Sequence, residues 1–220
     1  MRILILGAGG MLGHKLWQSL SLHFDSYIGI RKTPEYYSNY QIFDNARIFP
    51  GINSLDFNTI VQVINKLQPN VVINCIGIIK QNENINDHVA TLTINSIFPH
   101  KLKQLCAISN IRLIHISTDC VFSGKKGMYI EEDLSDAIDL YGRTKYLGEV
   151  DGPNCLTLRT SIIGRELGTK NGLLEWFINN DEEKVKGYVN AHFSGLPTIV
   201  FADVMIKIIR DFTKLSGVWH

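Results

Sequence analysis

Three side chains between Ser117 and Val150 have the types and the spacing for acid–base chemistry on a carbonyl group. Tyr141 and Lys145 lie four residues apart in a stretch that predicts a helix, and so they share one helix face. An ammonium group near a phenol lowers the tyrosine pKa from about 10 towards neutrality. Such a tyrosine donates a proton to a carbonyl oxygen while hydride reaches the carbon. Thr118, at the end of an apolar strand pattern, would hydrogen bond the same oxygen.

A glycine-rich stretch near the start of the chain supplies a second, independent signal. The sequence "ILILGAGGMLGHKL" places Gly7, Gly10 and Gly13 between an apolar strand pattern and a helix pattern. A dinucleotide's diphosphate needs a tight turn, a close backbone approach and a helix N-terminus. Gly7 would make the turn, Gly10 would admit the diphosphate, and Gly13 would let the helix pack on the sheet. The pattern predicts a dinucleotide site, with a purely structural turn as the alternative; Lys145 would then also hold the nicotinamide ribose.

The type of dinucleotide is indicated after the second strand pattern. An acid there favours NAD, whereas a base accommodates the 2′-phosphate of NADP. The stretch "YIGIRKT" offers Arg31 and Lys32 and no acid, which predicts NADPH, with NADH as the second choice. The alternative is that both are solvated surface charges. Asp56, near the next strand–helix junction, would hold the adenine edge or else cap a helix.

These residues are positioned by alternating strand and helix patterns. Apolar stretches predict strands at 2–6, 26–30, 71–77, 111–117 and 155–163. Helical spacing predicts helices at 12–20, 57–67, 88–108 with a break at Pro99, 141–150 and 199–212. This alternation predicts an α/β fold, a Rossmann-type doubly wound parallel sheet with helices on both faces. We expect residues 1–164 to form the NAD(P)-binding domain and 165–220 to form a small partial substrate-binding lobe.

Together, these motifs resemble the dTDP-4-dehydrorhamnose reductase family of nucleotide-sugar reductases, within the extended short-chain dehydrogenases. The resemblance rests on "GAGGMLG", "ISTDCVFSGKKGMYIEED", "YGRTKYLGE", "LRTSIIG" and "SGLPT", in this order from residue 1 to about 200. It implies reduction of the C4 keto group of a nucleotide-linked 4-keto-6-deoxyhexose for surface polysaccharide synthesis. Thr118, Tyr141 and Lys145 match the family's catalytic residues, and Thr118 and Asp119 match its substrate contacts.

The resemblance also implies further cofactor contacts. Met11 and Leu12 match the phosphate loop beside Gly10, and Asp56 with Phe57 matches a pair at the adenine end. The remaining implied contacts are the stretch after the fourth strand pattern, Cys75, Ile76 and Gly77, and the helix residue Asn95.

The residue after Thr118 and Asp119 separates reductases from related enzymes. Related 4,6-dehydratases carry Thr-Asp-Glu, in which two carboxyl groups help to eliminate water, whereas this chain has Cys120. Epimerases usually carry Ser where this chain has Thr118. Thr-Asp-Cys therefore favours simple ketone reduction, and Cys120 is interpreted as a packing residue.

Two departures from the family pattern bear on the substrate, and a third bears on the length of the chain. Ile162 stands where the reductases have an aromatic residue, so the sugar contact there differs, and "NCIGIIKQ" replaces a run of small residues. Both favour a UDP-linked, N-acetylated 4-keto-6-deoxy sugar as the second choice of substrate. The ending "LSGVWH" resembles the start of a late strand, which indicates a truncated chain or a shortened relative.

Composition excludes several other functions. The 220 residues are 45% hydrophobic and carry a net charge of +1, which favours a folded core and disfavours a nucleic-acid or membrane partner. The four cysteines have neither metal-ligand nor CxxC spacing, so we predict reduced thiols, no metal site and a cytoplasmic location. A homodimer is the assembly that we consider. The rival functions are an epimerase on the same scaffold and a non-catalytic NADP-binding subunit like that of methionine adenosyltransferase.

Overall fold

The computed structural model describes residues 1–43, 47–80, 85, 87–180 and 184–220. Within these residues, seven parallel strands form one sheet in the order β3-β2-β1-β4-β5-β6-β9. This confirms the predicted doubly wound α/β fold. The strands are β1 (Arg2–Leu6), β2 (Asp25–Gly29), β3 (Ile48–Phe49), β4 (Val71–Asn74), β5 (Arg112–Ser117), β6 (Cys155–Arg159), β7 (Ile162–Ile163), β8 (Leu196–Pro197) and β9 (Gly217–Trp219).

Helices cover both faces of this sheet, which is why its strands are apolar on both sides. Ile3 and Ile5 of β1 point into a core with α1 and α7, whereas Leu4 and Leu6 point into a core with α2 and α4. The helices are α1 (Met11–Leu20), α2 (Asn58–Leu67), α3 (His88–Leu92), α4 (Phe98–Ile108), α5 (Leu140–Leu147), α6 (Leu173–Ile178) and α7 (Thr198–Asp211).

The strand order places a crevice at the carboxyl ends of β1 and β4. Successive strands run outwards from β1 on one side and from β4 on the other, so the loops after these two strands diverge. Open α/β sheets bind ligands at such a point. The glycine loop follows β1, residues 75–80 follow β4, and Thr118 follows β5, so the motif residues lie along this edge.

The predicted helix over 88–108 is divided into three parts. α3 and α4 are joined by a π-helical turn, Thr93–Ile97, and Pro99 is the second residue of α4. The irregular turn therefore lies directly before the proline, whose missing N–H and ring disfavour a preceding regular turn. The predicted strand over 71–77 is also shorter, because Asn74 Oδ1 accepts the N–H of Ile76 at 3.1 Å and the chain leaves the sheet.

The predicted domain boundary at residue 164 does not match the sheet. α7 packs on α1 through Phe201, Met205 and Ile209, and β9 pairs with β6, so residues 198–219 complete the Rossmann layer. The apolar spacing of α7 makes it part of the larger core, and the strand pattern of "GVW" makes β9 an edge strand of the sheet. The smaller lobe is limited to the part of the chain between β6 and α7, which contains α6 and the two-stranded sheet of β7 and β8. Its assignment to substrate binding stays a prediction.

Candidate active site

Thr118, Tyr141 and Lys145 come together at the carboxyl end of β5. Thr118 directly follows β5, and its Oγ1 accepts the N–H of Cys120 at 3.1 Å. Tyr141 lies in the first turn of α5, whose N-terminus is capped by Asp139 Oδ1 accepting from Gly142 N at 2.9 Å. The Thr118 hydroxyl is within interaction distance of the Tyr141 phenol. A hydroxyl and a phenol thus converge where a carbonyl oxygen could accept from both.

The predicted effect of Lys145 on the pKa of Tyr141 is wrong for this arrangement. Burial raises the pKa of Tyr141 to about 12, with opposition from Thr118 and smaller upward contributions from Cys120, Asp119 and Asp139. Lys145 is not turned to the phenol: its Nζ donates to the carbonyl of Ile116 at 2.7 Å. The tyrosine is therefore a protonated acid at neutral pH, which is the form that ketone reduction needs.

Lys145 is a buried ammonium group. Burial lowers its pKa to about 8, while the charges of Glu149 and Cys75 oppose this shift. Its side chain borders residues 75–80: a methyl group on Gly77 would lie 4.0 Å from Nζ. Gly77 itself is exposed, so the crevice is accessible to solvent at this position, beside Lys145.

Asn95 supports this segment with its amide, and its predicted contact with a cofactor stays a prediction. Its Oδ1 accepts from Ile78 N at 2.8 Å, and its Nδ2 donates to Ile78 O at 3.0 Å and Thr144 Oγ1 at 3.3 Å. The amide is therefore engaged by the protein, and it fixes the 75–80 segment against α5. The π-helical turn directs Asn95 to this place.

The glycine loop has a shape that fits a dinucleotide diphosphate. Gly7 has a φ of +82°, and a methyl group on Gly13 would lie 2.3 Å from Gly7 O, so these two glycines build the tight turn and the helix contact. A methyl group on Gly10 meets nothing nearer than Gly7 O at 3.4 Å, so its outer side is open. No side chain caps the start of α1, which leaves the N–H groups of Met11 and Leu12 for an anion.

Two neighbours that the sequence did not indicate hold this loop. His14 Nδ1 donates to Gly10 O at 2.9 Å. The hydroxyl of Tyr37 lies against Gly9, where it occupies the space that a Cβ would need.

Arg31 and Lys32 follow β2 and are exposed, and Lys32 Nζ lies 5.6 Å from the ring centre of Tyr36. Their proposed contact with a 2′-phosphate stays a prediction.

The residues predicted to contact the cofactor at its adenine end and after β4 also make contacts within the protein. Asp56 Oδ1 accepts from Asn58 N at 3.2 Å, at the first residue of α2, although the residue at the N-cap position is Phe57. Phe57 packs edge-to-face on Phe98, with 6.1 Å between ring centres. Of the three residues after β4, Cys75 packs against the core and burial raises its pKa to about 12. Ile76, likewise, packs against the core of α2 and α4.

On the substrate side, Asp119 is fixed from two directions. Its Oδ1 accepts from Ser161 Oγ at 2.5 Å and from Thr118 Oγ1 at 3.3 Å. Ser161 was not predicted, although it lies in the quoted "LRTSIIG" motif. Ile162 pairs with Leu196 in the small sheet and packs against the core of α1 and α7, so its side chain is partly used in packing.

Two polar groups beneath the site were also missed. Asn74 Nδ2 donates to Nδ1 of buried His115 at 3.0 Å, and burial holds the pKa of His115 well below its usual value. The sequence does contain a signal for this pair, since both are polar residues inside apolar strands and they are direct partners in the sheet.

Lys80, in the divergent "NCIGIIKQ", pairs with Asp139 at 3.0 Å and lies 5.9 Å from the Tyr141 ring centre.

Two kinds of feature are absent from the described residues. None of their helices combines the length and the apolar character needed to cross a lipid bilayer. In the same ranges, His, Cys, Asp and Glu side chains form no group of three or more arranged to hold a metal ion.

Comparison with known proteins gives matches along the whole chain. A curated dTDP-4-dehydrorhamnose reductase of Aggregatibacter actinomycetemcomitans is 27% identical over 231 residues, covering 100% of this chain and 72% of the relative. The methionine adenosyltransferase 2 subunit beta of Bos taurus is 31% identical over 149 residues, covering 67% of this chain. That match spans 41% of the subunit, so the chain covers less than half of this relative's length.

Solved structures support the same relationship. The crystal structure of a hypothetical dTDP-4-dehydrorhamnose reductase from Sulfolobus tokodaii has a TM-score of 0.79 at 26% identity, covering 99% of this chain and 75% of that one. A Bacillus anthracis dTDP-4-dehydrorhamnose reductase in complex with NADP shares the fold, with a TM-score of 0.73 at 21% identity, 100% of this chain and 73% of that one. The sequence profile of the RmlD substrate binding domain matches residues 1–220. Because this match spans the entire sequence, the chain belongs to the RmlD substrate binding domain family.

Proposed function

We propose that this protein is an NADPH-dependent reductase of the C4 keto group of a nucleotide-linked 4-keto-6-deoxyhexose. The observation that carries the proposal is the convergence of Thr118 and Tyr141 at the end of β5, beside buried Lys145. The reductase from A. actinomycetemcomitans, matched over this whole chain, supports the reaction class.

NADPH fits the glycine loop, on the evidence of the open side of Gly10 and the uncapped start of α1. Gly7, Gly10, Met11, Leu12 and Gly13 would hold the diphosphate. Exposed Arg31 and Lys32 would hold the 2′-phosphate, and Lys145 beside Gly77 would hold the nicotinamide ribose. When bound, NADPH would supply the hydride that reduces the carbonyl carbon.

The protein residues would supply the proton and the orientation. Thr118 and Tyr141 would both donate hydrogen bonds to the keto oxygen, which fixes the carbonyl in the crevice. Tyr141, with its pKa of about 12, holds its proton at neutral pH and passes it to the oxygen as negative charge develops there. Lys145 does not face the phenol, since its Nζ donates to the carbonyl of Ile116, so its proposed role is to hold the nicotinamide ribose. Thus one hydride and one proton are added, and no group is eliminated.

Cys120 is consistent with reduction without dehydration. The thiol lies next to Asp119, and its pKa is raised by burial, so it is a weaker acid than a carboxyl group in that position. We propose a dTDP-linked sugar as the substrate. The UDP-linked N-acetylated sugar is the alternative, because Ile162 and the segment with Lys80 depart from the reductase pattern.

The test is oxidation of NADPH, with NADH in parallel, in the presence of dTDP- and UDP-linked 4-keto-6-deoxy sugars. We expect NADPH oxidation that stops at one equivalent per sugar, and the faster sugar identifies the nucleotide. An epimerase would instead convert its sugar with no net consumption of dinucleotide. Absence of oxidation with every sugar, despite NADPH binding, would reject the reductase.

One similarity favours a second candidate, a non-catalytic regulatory subunit. The methionine adenosyltransferase 2 subunit beta matches 67% of this chain at 31% identity. In this role the chain would bind NADP and a catalytic partner but would turn over no sugar. Co-purification with such a partner, together with NADPH binding and no oxidation, would favour it.

The cellular setting of the reductase follows from its proposed substrate. A nucleotide-linked deoxysugar is a precursor of surface polysaccharides and is made where nucleotides are available, so we place the enzyme in the cytoplasm. A homodimer is the proposed assembly. Sedimentation of the purified protein tests the assembly, and a monomer at micromolar concentration would contradict it.

A further inference from the structure

A buried ion pair lies directly beneath the strand ends of the site. Arg159, at the end of β6, donates from Nε and Nη2 to the two carboxylate oxygens of Glu149, each at 2.8 Å. The two side chains are only 4% and 6% exposed. Ser117, the last residue of β5, donates from Oγ to Glu149 Oε1 at 2.9 Å. This trio, called the anchor below, joins the ends of two neighbouring strands to the end of α5.

Stability alone does not explain such a pair. Removing two charges from water costs several kcal/mol per ion, and apolar residues of similar volume often stabilise a core as well or better. A bidentate pair does fix geometry, because it orients both planar groups at once. The relevant question is which groups this fixed geometry controls.

The anchor controls the residues that follow each strand. Thr118 and Asp119 come directly after Ser117, and Ser161 comes two residues after Arg159. Ser161 Oγ donates to Asp119 Oδ1 at 2.5 Å, so the two strand ends meet again on the crevice side of the anchor. A shift of Ser117 or Arg159 would therefore move the residues that face the substrate.

The anchor also holds residues 122–136, called the site loop here. The Arg159 guanidinium lies 5.0 Å from the ring centre of Phe122, and its Nη1 donates to Glu131 O at 3.4 Å. Phe122 stacks on Tyr129 with 4.3 Å between ring centres. One arginine thus contacts the loop at its start and near its middle.

We propose that Ser117, Glu149 and Arg159 are positioning residues, which align Thr118 and Asp119 and hold the site loop beside them. Their effect on catalysis rests on the proposed reductase function, whereas their effect on the loop does not. None of them touches the reacting atoms. Loss of the Ser117 hydroxyl should therefore lower kcat and leave the KM for NADPH unchanged, since the glycine loop lies at the end of β1. Loss of the Glu149 charge also removes an interaction that favours the ammonium form of Lys145, so the KM comparison is made for Ser117 alone.

The sharpest variant is Ser117→Ala, which removes one donor and leaves the ion pair intact. Ser26→Ala is its matched control: Ser26 is also a buried serine of this sheet, but it lies in β2, where its Oγ donates to the carbonyl of Phe24 at 3.4 Å. Glu149→Gln, which keeps the shape but removes the charge, is the stronger second variant. Hydrogen exchange of peptides covering 118–136 and steady-state kinetics are measured for each.

For Ser117→Ala we expect faster exchange in 118–136 and about a tenfold lower kcat, within the usual range for a misaligned catalytic group. Ser26→Ala should leave both unchanged even if it lowers the melting temperature. Equal exchange changes in the two variants, or unchanged loop exchange in Ser117→Ala and Glu149→Gln, would overturn the proposal. If the wild-type protein reduces no sugar but the loop responds selectively, the anchor stands and the reductase function fails.

Discussion

At the residue scale, the central feature is a pair of titratable groups, Tyr141 and Lys145, whose pKa values burial moves apart. Burial raises the pKa of Tyr141 to about 12 and lowers that of Lys145 to about 8. Both shifts disfavour the charged form, as expected when ionisable groups leave water. Burial thereby keeps the phenol in its protonated form, and it makes the lysine ammonium a stronger acid than an exposed one.

The lysine makes stability depend on pH. Its folded-state pKa of about 8 lies below its ordinary value of 10.5, so between these values the unfolded chain binds more protons than the folded one. Stability must therefore rise with pH through this window. Relative to Lys145→Met, the wild-type protein should gain about 3 kcal/mol of unfolding free energy between pH 7 and pH 11. Urea titrations of both proteins across this range measure the difference, and a difference that stays constant with pH would contradict the buried ammonium.

The choice of dinucleotide should depend on two exposed cations. Replacing Arg31 and Lys32 with alanine should raise the KM for NADPH about tenfold, since each charge-assisted hydrogen bond to a phosphate contributes about 1.5–3 kcal/mol before solvent screening. The KM for NADH should not change. Lys207→Ala, an exposed lysine of α7, is the control for a general charge effect. An equal rise for both dinucleotides would show that the two residues do not contact the 2′-phosphate.

The convergence of the candidate catalytic residues is predictable from their types and spacing, but their environment is not. Tyr141, Lys145 and Thr118 converge as expected because a helix and a strand end have known geometry. The direction of the Tyr141 pKa shift was wrong, since it depends on burial and on Asp119 and Asp139, whose distances the sequence does not reveal. Asn95 was assigned to the cofactor although its amide is engaged by Ile78 and Thr144.

At the scale of elements, the glycine loop separates two functions of glycine. A methyl group on Gly13 would approach backbone atoms of Gly7 and Ala8 within 3 Å. A methyl group on Gly10 would have Gly7 O as its nearest neighbour at 3.4 Å, which is an ordinary van der Waals contact. Gly10 has a φ of −88°, which alanine adopts without strain. One glycine is therefore needed for the fold, and the other leaves room for a ligand.

The two alanine variants should accordingly differ. Gly13→Ala should lower the free energy of unfolding by about 1–3 kcal/mol, as overpacking does. Gly10→Ala should keep its stability within about 0.5 kcal/mol but weaken NADPH binding at least tenfold, as its methyl group would occupy the approach of the diphosphate. Thermal unfolding and NADPH titration measure both effects. Tight NADPH binding by Gly10→Ala would remove the diphosphate from this loop.

Regular elements were predictable from periodicity, and irregular ones were not. β1, α1, α2 and α7 lie where the apolar spacing places them. The π-helical turn at Thr93–Ile97 left no periodic signal, because one extra residue in a turn hardly changes a helical pattern. The early end of β4 depends on the side chain of Asn74, which competes with the sheet for a backbone N–H.

At the scale of the whole molecule, the last part of the chain returns to the sheet. Arg112 at the start of β5 is 8% exposed and donates to the carbonyl groups of Ile208, Phe212 and Leu215. These hydrogen bonds satisfy carbonyl groups at the end of α7 and in the segment that leads to β9. The sequence pattern alone predicts a substrate lobe for these residues, because it does not reveal contacts between residues about 100 positions apart.

Arg112 should therefore stabilise the whole domain. Arg112→Met should lower the free energy of unfolding by about 2–3 kcal/mol, because it leaves carbonyl groups at the end of α7 without their charged donor. Arg210→Met, which removes an exposed arginine of the same helix that pairs with Asp211, should change it by about 0.5 kcal/mol or less. Urea denaturation compares the two variants, and similar losses would show that α7 and β9 do not depend on Arg112.

The central claim is that the protein transfers hydride to C4 of a nucleotide-linked sugar, with Tyr141 as proton donor. The most direct measurement uses NADPH carrying deuterium at the transferred position and detects the label in the product by NMR. We expect deuterium at C4 of the sugar with the wild-type protein, and a rate at least about a hundredfold lower with Tyr141→Phe, since a general acid typically contributes this much. Label at another carbon, or equal rates for the two proteins, would contradict the account.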